Sequence, residues 1–142
     1  MFLLDTVVLS ELRKHPGQRN RNVVAWIAKI PSQDLFVSVV TIGEIERGIE
    51  RQRGTGDPFA DELATWLDVV LRAYDGRILP VTVPVARRWG RLSQRLGNKG
   101  LDLAIAATAL EHGLTVVTRN VSDFTPAGVA VVNPFEQAAL VS

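Results

Sequence analysis

The stretch Leu101–Phe124, LDLAIAATALEHGLTVVTRNVSDF, constrains the fold more than any other part of the chain. From Leu103 to Leu110 only Thr108 interrupts the apolar residues. A helix that is apolar on nearly every side must be wrapped by protein. His112 and Gly113 end it, glycine being the common residue just past a helix. Leu114–Val117 is a short β-branched run, the mark of a strand covered on both faces. A polar loop, Thr118–Asp123, follows. Asp102 opens the helix and Asp123 follows the strand. Apolar packing needs neither charge, so the two acids raise a functional question.

The rest of the chain alternates in the same way. Phe2–Leu4 reads as a first strand, and Val8, Leu9 and Leu12 follow at helical spacing. Val23, Trp26, Ile27 and Ile30 mark a second helix, stopped by Pro31. Leu35–Val40 reads as a second strand, with a helix from Thr41 to about Gln52. Asp57-Pro58 is a helix start. The helix it opens, to about Tyr74, is expected to bury Leu63, Trp66, Leu67, Val70 and Leu71. Arg77–Val81 reads as a short third strand, weakened by Pro80. Pro84 suits the start of a helix to about Leu96. Val129–Val132 reads as a last strand, and the tail as a helical turn. Buried strands alternating with helices predict an α/β protein: a parallel sheet with helices on both faces. With 142 residues and no linker or repeat, one domain over 1–142 is expected.

In a parallel sheet every strand ends at the same edge, and right-handed crossovers keep those edges together. Asp5 follows the first strand and Glu44 the second, so Asp5, Glu44, Asp102 and Asp123 can meet in one cleft. Two of them also have purely structural readings. Asp5 suits a helix N-cap. Thr41 followed by Glu44 suits a capping box. Four clustered carboxylates repel one another and are costly to desolvate, and divalent cations remove that cost. Such a cluster can activate a water and stabilise a leaving oxygen, so metal-assisted phosphodiester hydrolysis is the chemistry expected. A pair of acids could instead do general acid–base work. Glycoside hydrolysis would need a longer sheet edge, richer in aromatic residues. Neither Gly-x-Gly-x-x-Gly, a P-loop nor Gly-x-Ser-x-Gly is present. A phosphoaspartate enzyme would want an acid where Val7 stands.

Cysteine is absent and only His15 and His112 are available, which argues against zinc and leaves carboxylates for a hard ion such as magnesium or manganese. No apolar run approaches the roughly 20 residues needed to span a bilayer. MFLLD is too short and too soon acidic for a signal peptide, so a cytoplasmic protein without membrane contact is expected. A net charge of +1 does not by itself argue nucleic-acid binding. Arg87, Arg91 and Arg95 nevertheless recur at spacing four with Arg88 beside them, a basic stripe that is either a solvated face or a phosphate contact. Arg47 and Arg51, interleaved with Glu46 and Glu50, are expected to make helix-surface ion pairs.

LLDTVVLSEL at Leu3–Leu12, VTIGEIERGI at Val40–Ile49 and the whole of LDLAIAATALEHGLTVVTRNVSDF resemble the successive signatures of a PIN domain, more closely those of VapC/FitB-type toxins of toxin–antitoxin pairs. The resemblance implies a three-layer α/β/α sandwich around a parallel sheet. It implies a magnesium- or manganese-dependent endoribonuclease acting on transfer or ribosomal RNA. It also implies a homodimer, silenced by a small antitoxin through which alone it meets DNA. Carried over residue by residue, the metal ligands fall on Asp5, Asp102 and Asp123, with Glu44 completing the pocket. Thr6, Thr118 and Asn120 match supporting polar positions, and Arg87, Arg91, Arg95 and Lys99 are candidate RNA contacts. Val7 stands where the family commonly has asparagine; without a hydrogen-bonding group there, Asp5 loses a support. Two rival functions follow: a PIN-like binding module with weak or no catalysis, acting through an antitoxin–DNA complex, and a nuclease of DNA or of junctions.

Overall fold

In the computed structural model, residues 1–98 and 100–136 are described. The expected helical turn in the tail falls largely outside them. Five strands form one wholly parallel sheet: β1 (Phe2–Leu4), β2 (Leu35–Ser38), β3 (Ile78–Leu79), β4 (Thr115–Val117) and β5 (Val131–Val132). Their order is β3-β2-β1-β4-β5. The chain therefore builds outward from β1 to β3, then returns to the other side of β1 for β4 and β5. The strand order reverses at β1 and β4, and in open α/β sheets ligands bind in the crevice at such a point.

Seven α-helices flank the sheet among the described residues: α1 (Thr6–Leu12), α2 (Arg21–Ala28), α3 (Val39–Gly54), α4 (Phe59–Ala73), α5 (Val83–Leu96), α6 (Asp102–His112) and α7 (Val121–Phe124). Alternation along the strands divides the core in two. Leu3 and Val116 join one cluster with Val85, Leu92, Leu103 and Phe124. Leu4 and Val117 join the other with Val8, Leu9, Ile45, Ile49 and Leu67. The result is the expected α/β/α sandwich. The interior of α6 is fully buried from Leu103 to Ala109 apart from Ala104, as an all-apolar helix requires, and Gly113 ends it at φ +65°. Among the described residues no helix is long and apolar enough to cross a membrane.

Several boundaries differ from expectation. β2 stops at Ser38, whose hydroxyl accepts from Val40 N at 3.0 Å and caps α3. Val39 and Val40 are thus helical despite their β-branched side chains. Thr41 and Glu44 lie inside the helix and form no capping box. Pro80 confines β3 to two residues. The helix starts one residue later than expected, with Pro58 at the cap position of α4, and the Asp57 carboxylate accepts from Phe59 N at 2.9 Å. The core stripe of α4 takes Leu63, Trp66, Leu67 and Val70, with Tyr74 just past its end, leaving Leu71 38% exposed on its margin. The segment after Thr118, expected to be loop, forms the single turn of α7.

Candidate active site

Asp5 leaves β1 and enters α1 at the point of strand reversal. Its backbone N–H continues the ladder to Val117 O at 2.9 Å. Its side chain is 4% exposed and both oxygens are held. Oδ1 accepts from Thr6 N at 2.8 Å, and Oδ2 accepts from the Thr118 hydroxyl at 2.8 Å. An ordinary cap would serve the amides two or three residues into the helix. Here the side chain reaches only the first amide, Thr6 N, while Val8 N bonds the backbone carbonyl of Asp5. The carboxylate spans β1 and β4 more than it caps α1.

Thr6 also supports Glu44. Its hydroxyl donates to Glu44 Oε1 at 2.6 Å, and its oxygen lies 3.1 Å from the hydroxyl of buried Thr41. One hydroxyl carries one proton, so Thr41 donates to Thr6 and Thr6 to the carboxylate. Asp102 is the first residue of α6 and is half-buried; Asp123 is exposed on α7.

Electrostatics tie the four acids together. Burial raises the Asp5 carboxyl above its ordinary value, its two hydrogen bonds oppose this, and the Glu44 and Asp123 charges push it further up. Asp102 is pushed up to about 6, chiefly by burial and then by Asp5, Asp123 and Glu44. A helix N-terminus ordinarily favours an anion. At Asp102, burial and three neighbouring carboxylates outweigh it. The donors are all oxygens, which suits a hard divalent ion in kind. Among the described residues, no three acids already stand as a finished ligand set, so an ion would have to draw them inward.

The supporting positions divide. Thr118 is wholly buried and bridges Asp5 to the Asn120 amide, whose N–H reaches the Thr118 oxygen at 2.9 Å. Asn120 thus contributes its backbone, not the side chain that had drawn attention to it. Val7 packs against the core beneath α1, and Asp5 is held by Thr6 and Thr118 without it. Thr41 escaped the sequence reading, because a threonine followed by glutamate three residues on suggests a cap.

The basic residues divide as well. Arg88 pairs with Glu111 at 3.0 Å. Arg87 and Arg91 line a shallow hollow on α5 with Gly90 and Gln94, and none of the four acids borders it. Arg95 is exposed in the last turn of α5. Lys99 lies outside the described residues. The ion pairs expected of Arg47 and Arg51 do not form; Glu50 pairs with Arg53 at 2.7 Å.

A parallel α/β/α sandwich, with Asp5 buried at the strand reversal and Glu44, Asp102 and Asp123 within electrostatic reach of one another, defines the class of the chain. Residues 2–124 match the PIN domain family, and the chain belongs to it. It is 37% identical to Toxin FitB of Neisseria gonorrhoeae, over 95% of this chain and 99% of that protein. It is 35% identical to a VapC ribonuclease of Sinorhizobium fredii, over 97% of this chain and 100% of that protein. Its fold superimposes on a solved structure of FitAB bound to DNA with a TM-score of 0.77 at 31% identity, covering 99% of this chain and 100% of that one.

Proposed function

We propose that this protein is a metal-dependent endoribonuclease, the toxin of a toxin–antitoxin pair, hydrolysing phosphodiester bonds of transfer or ribosomal RNA. The observation that carries the reading is Asp5, buried across the strand reversal in the repulsive field of other carboxylates. Relatives named Toxin FitB and VapC ribonuclease support it. Asp5, Asp102 and Asp123 would hold magnesium or manganese, with Glu44 completing the pocket. Such an ion, when bound, would supply charge stabilisation and lower the pKa of a water for phosphodiester hydrolysis.

The chain's own residues do the positioning. Thr118 and the Thr6 amide fix both oxygens of Asp5. The Thr41–Thr6 relay fixes Glu44. The buried body of α6 gives Asp102 a rigid mount. A cognate antitoxin is the expected inhibitor, in keeping with the FitAB complex, and the active form is expected to be a homodimer. A pure binding module is disfavoured, because Asp5 is held on both oxygens despite Val7. Purified protein should cleave RNA with magnesium or manganese and stop in chelator, and Asp102→Asn should abolish cleavage. Undiminished cleavage in chelator would overturn the mechanism.

A further inference from the structure

Two stripes of residues lead outward from the acidic centre on neighbouring helices. Along α1 they are Thr6 and Ser10, continued by Arg13 just past its end; on α3 they are Glu44, Gly48 and Arg51. Steps of four and three stack each set on one helix face. Both stripes line one cavity of about 390 Å³, to which Trp66 of α4 also contributes. A methyl group added at Gly48 would meet nothing within 4 Å, so the groove is open there. A second cavity of about 400 Å³ shares Arg13 and Trp66 and adds Phe59, Lys14, His15 and Glu62. The Arg13 guanidinium lies over the Phe59 ring, 5.4 Å from its centroid.

The charges along this path are uneven. Lys14 is engaged with Glu11 at 2.8 Å. Arg13 and Arg51 belong to none of the ion pairs among the described residues. Glu44 is the acid of the first cavity and Glu62 that of the second. Surface arginines are ordinarily solvated. These two instead line a groove whose wall continues into Glu44 and Thr6. Guanidinium groups match phosphate geometry, and aromatic faces accept any base by stacking.

We propose that the groove is a nucleotide subsite for single-stranded RNA, in which Arg13 and Arg51 hold a backbone phosphate beside the one cleaved and Trp66 and Phe59 receive the adjoining base. The subsite rests on the ribonuclease reading above. It gives the substrate a direction: the chain leaves the carboxylates between α1 and α3 and passes over α4. It also assigns a role to Gly48, since a side chain there would occupy the path.

Steady-state cleavage of a fluorescently labelled 12-nucleotide single-stranded RNA with manganese tests this. Arg13→Gln and Arg51→Gln should each raise KM about tenfold, the loss of one charge-assisted contact, while kcat stays within about twofold. Each should also flatten the salt dependence of log KM by about 0.7. Gly48→Leu fills the groove without changing charge and improves helix propensity, and a melting temperature at or above the wild-type value shows that a raised KM does not come from unfolding. Arg72→Gln, on the exposed side of α4, controls for net charge and should leave KM near the wild-type value. RNA should quench tryptophan fluorescence, and Trp66→Phe should remove that quench. Wild-type cleavage with unchanged KM in both arginine variants overturns the subsite alone and leaves the groove to a protein segment. Wild-type protein that cleaves no RNA overturns the ribonuclease reading and the subsite with it.

Discussion

The Thr118 hydroxyl, at the end of β4, donates to Oδ2 of Asp5, at the end of β1, over 2.8 Å. This bond joins the two strands at which the sheet order reverses. Thr118→Val keeps the shape and removes the donor, leaving a buried carboxylate oxygen without a partner. Such losses cost about 1–3 kcal/mol, to be measured by urea unfolding. Cleavage should fall about 10–100-fold, as when a partner that orients a metal ligand is lost. Wild-type activity in Thr118→Val would show that Asp5 needs no such support.

Asp102 makes stability depend on pH in a definite direction. Its folded-state value lies at about 6, above the ordinary 3.8. The folded protein therefore holds this proton more tightly than the unfolded chain. The stability so gained is complete below about pH 3.8 and is lost as pH rises through about 6. Asp5, also raised, works in the same direction. Metal-free protein should melt at a lower temperature at pH 7.5 than these two groups would allow near pH 5. Asp102→Asn should flatten that decline, and manganese should restore the melting temperature at pH 7.5 more than at pH 5. A variant that declines as steeply as the wild type would remove Asp102 as the cause.

The acids were legible because each ends a strand or opens a helix, and a parallel sheet brings strand ends to one edge. The buried helix α6 was legible from composition alone, since Leu103–Leu110 carries a single polar residue. Three things were not. The start of α3 was hidden because Val39 and Val40 look like strand, while tertiary packing and the Ser38 cap make them helical. The ion pairs expected of Arg47 and Arg51 failed because Glu50 has an equally close partner in Arg53, three residues on. The groove was hidden: Thr6, Ser10 and Arg13, like Glu44, Gly48 and Arg51, recur at helical spacing, but spacing alone marks no groove. That the two faces share one cavity follows from the packing of α1 on α3, which no local pattern encodes.

Glu11 is a buried acid with a structural task. It is 8% exposed, accepts from Asn20 N at 2.7 Å and pairs with Lys14 at 2.8 Å. Asn20 in turn caps α2 through Asn22 N and Val23 N. Lys14 is the chief cause of its lowered carboxyl value. Its stabilising effect is therefore present above pH 4.5 and lost as pH falls, opposite to Asp102. Glu11→Ala leaves the Asn20 amide without its partner and should cost about 1–3 kcal/mol at pH 7. Chemical denaturation at pH 7 and pH 3.5 checks this: the difference from wild type should shrink at the lower pH.

The cap of α3 separates two ways of reading one stretch. If Thr41 and Glu44 formed a capping box, losing the Glu44 charge would weaken the helix. In the structure Ser38 is the cap and Glu44 stands among repelling acids. Ser38→Ala should therefore destabilise by about 1 kcal/mol, the usual value of a lost N-cap hydroxyl. Glu44→Gln should instead raise the melting temperature of the metal-free protein, because one of four mutually repelling charges disappears while the amide oxygen still accepts from Thr6. The same variant should lose cleavage, since a neutral side chain cannot complete an acidic pocket. Paired melting and cleavage measurements on Glu44→Gln decide between the readings: lower stability with intact cleavage would restore the structural role, and higher stability without cleavage assigns Glu44 to the pocket.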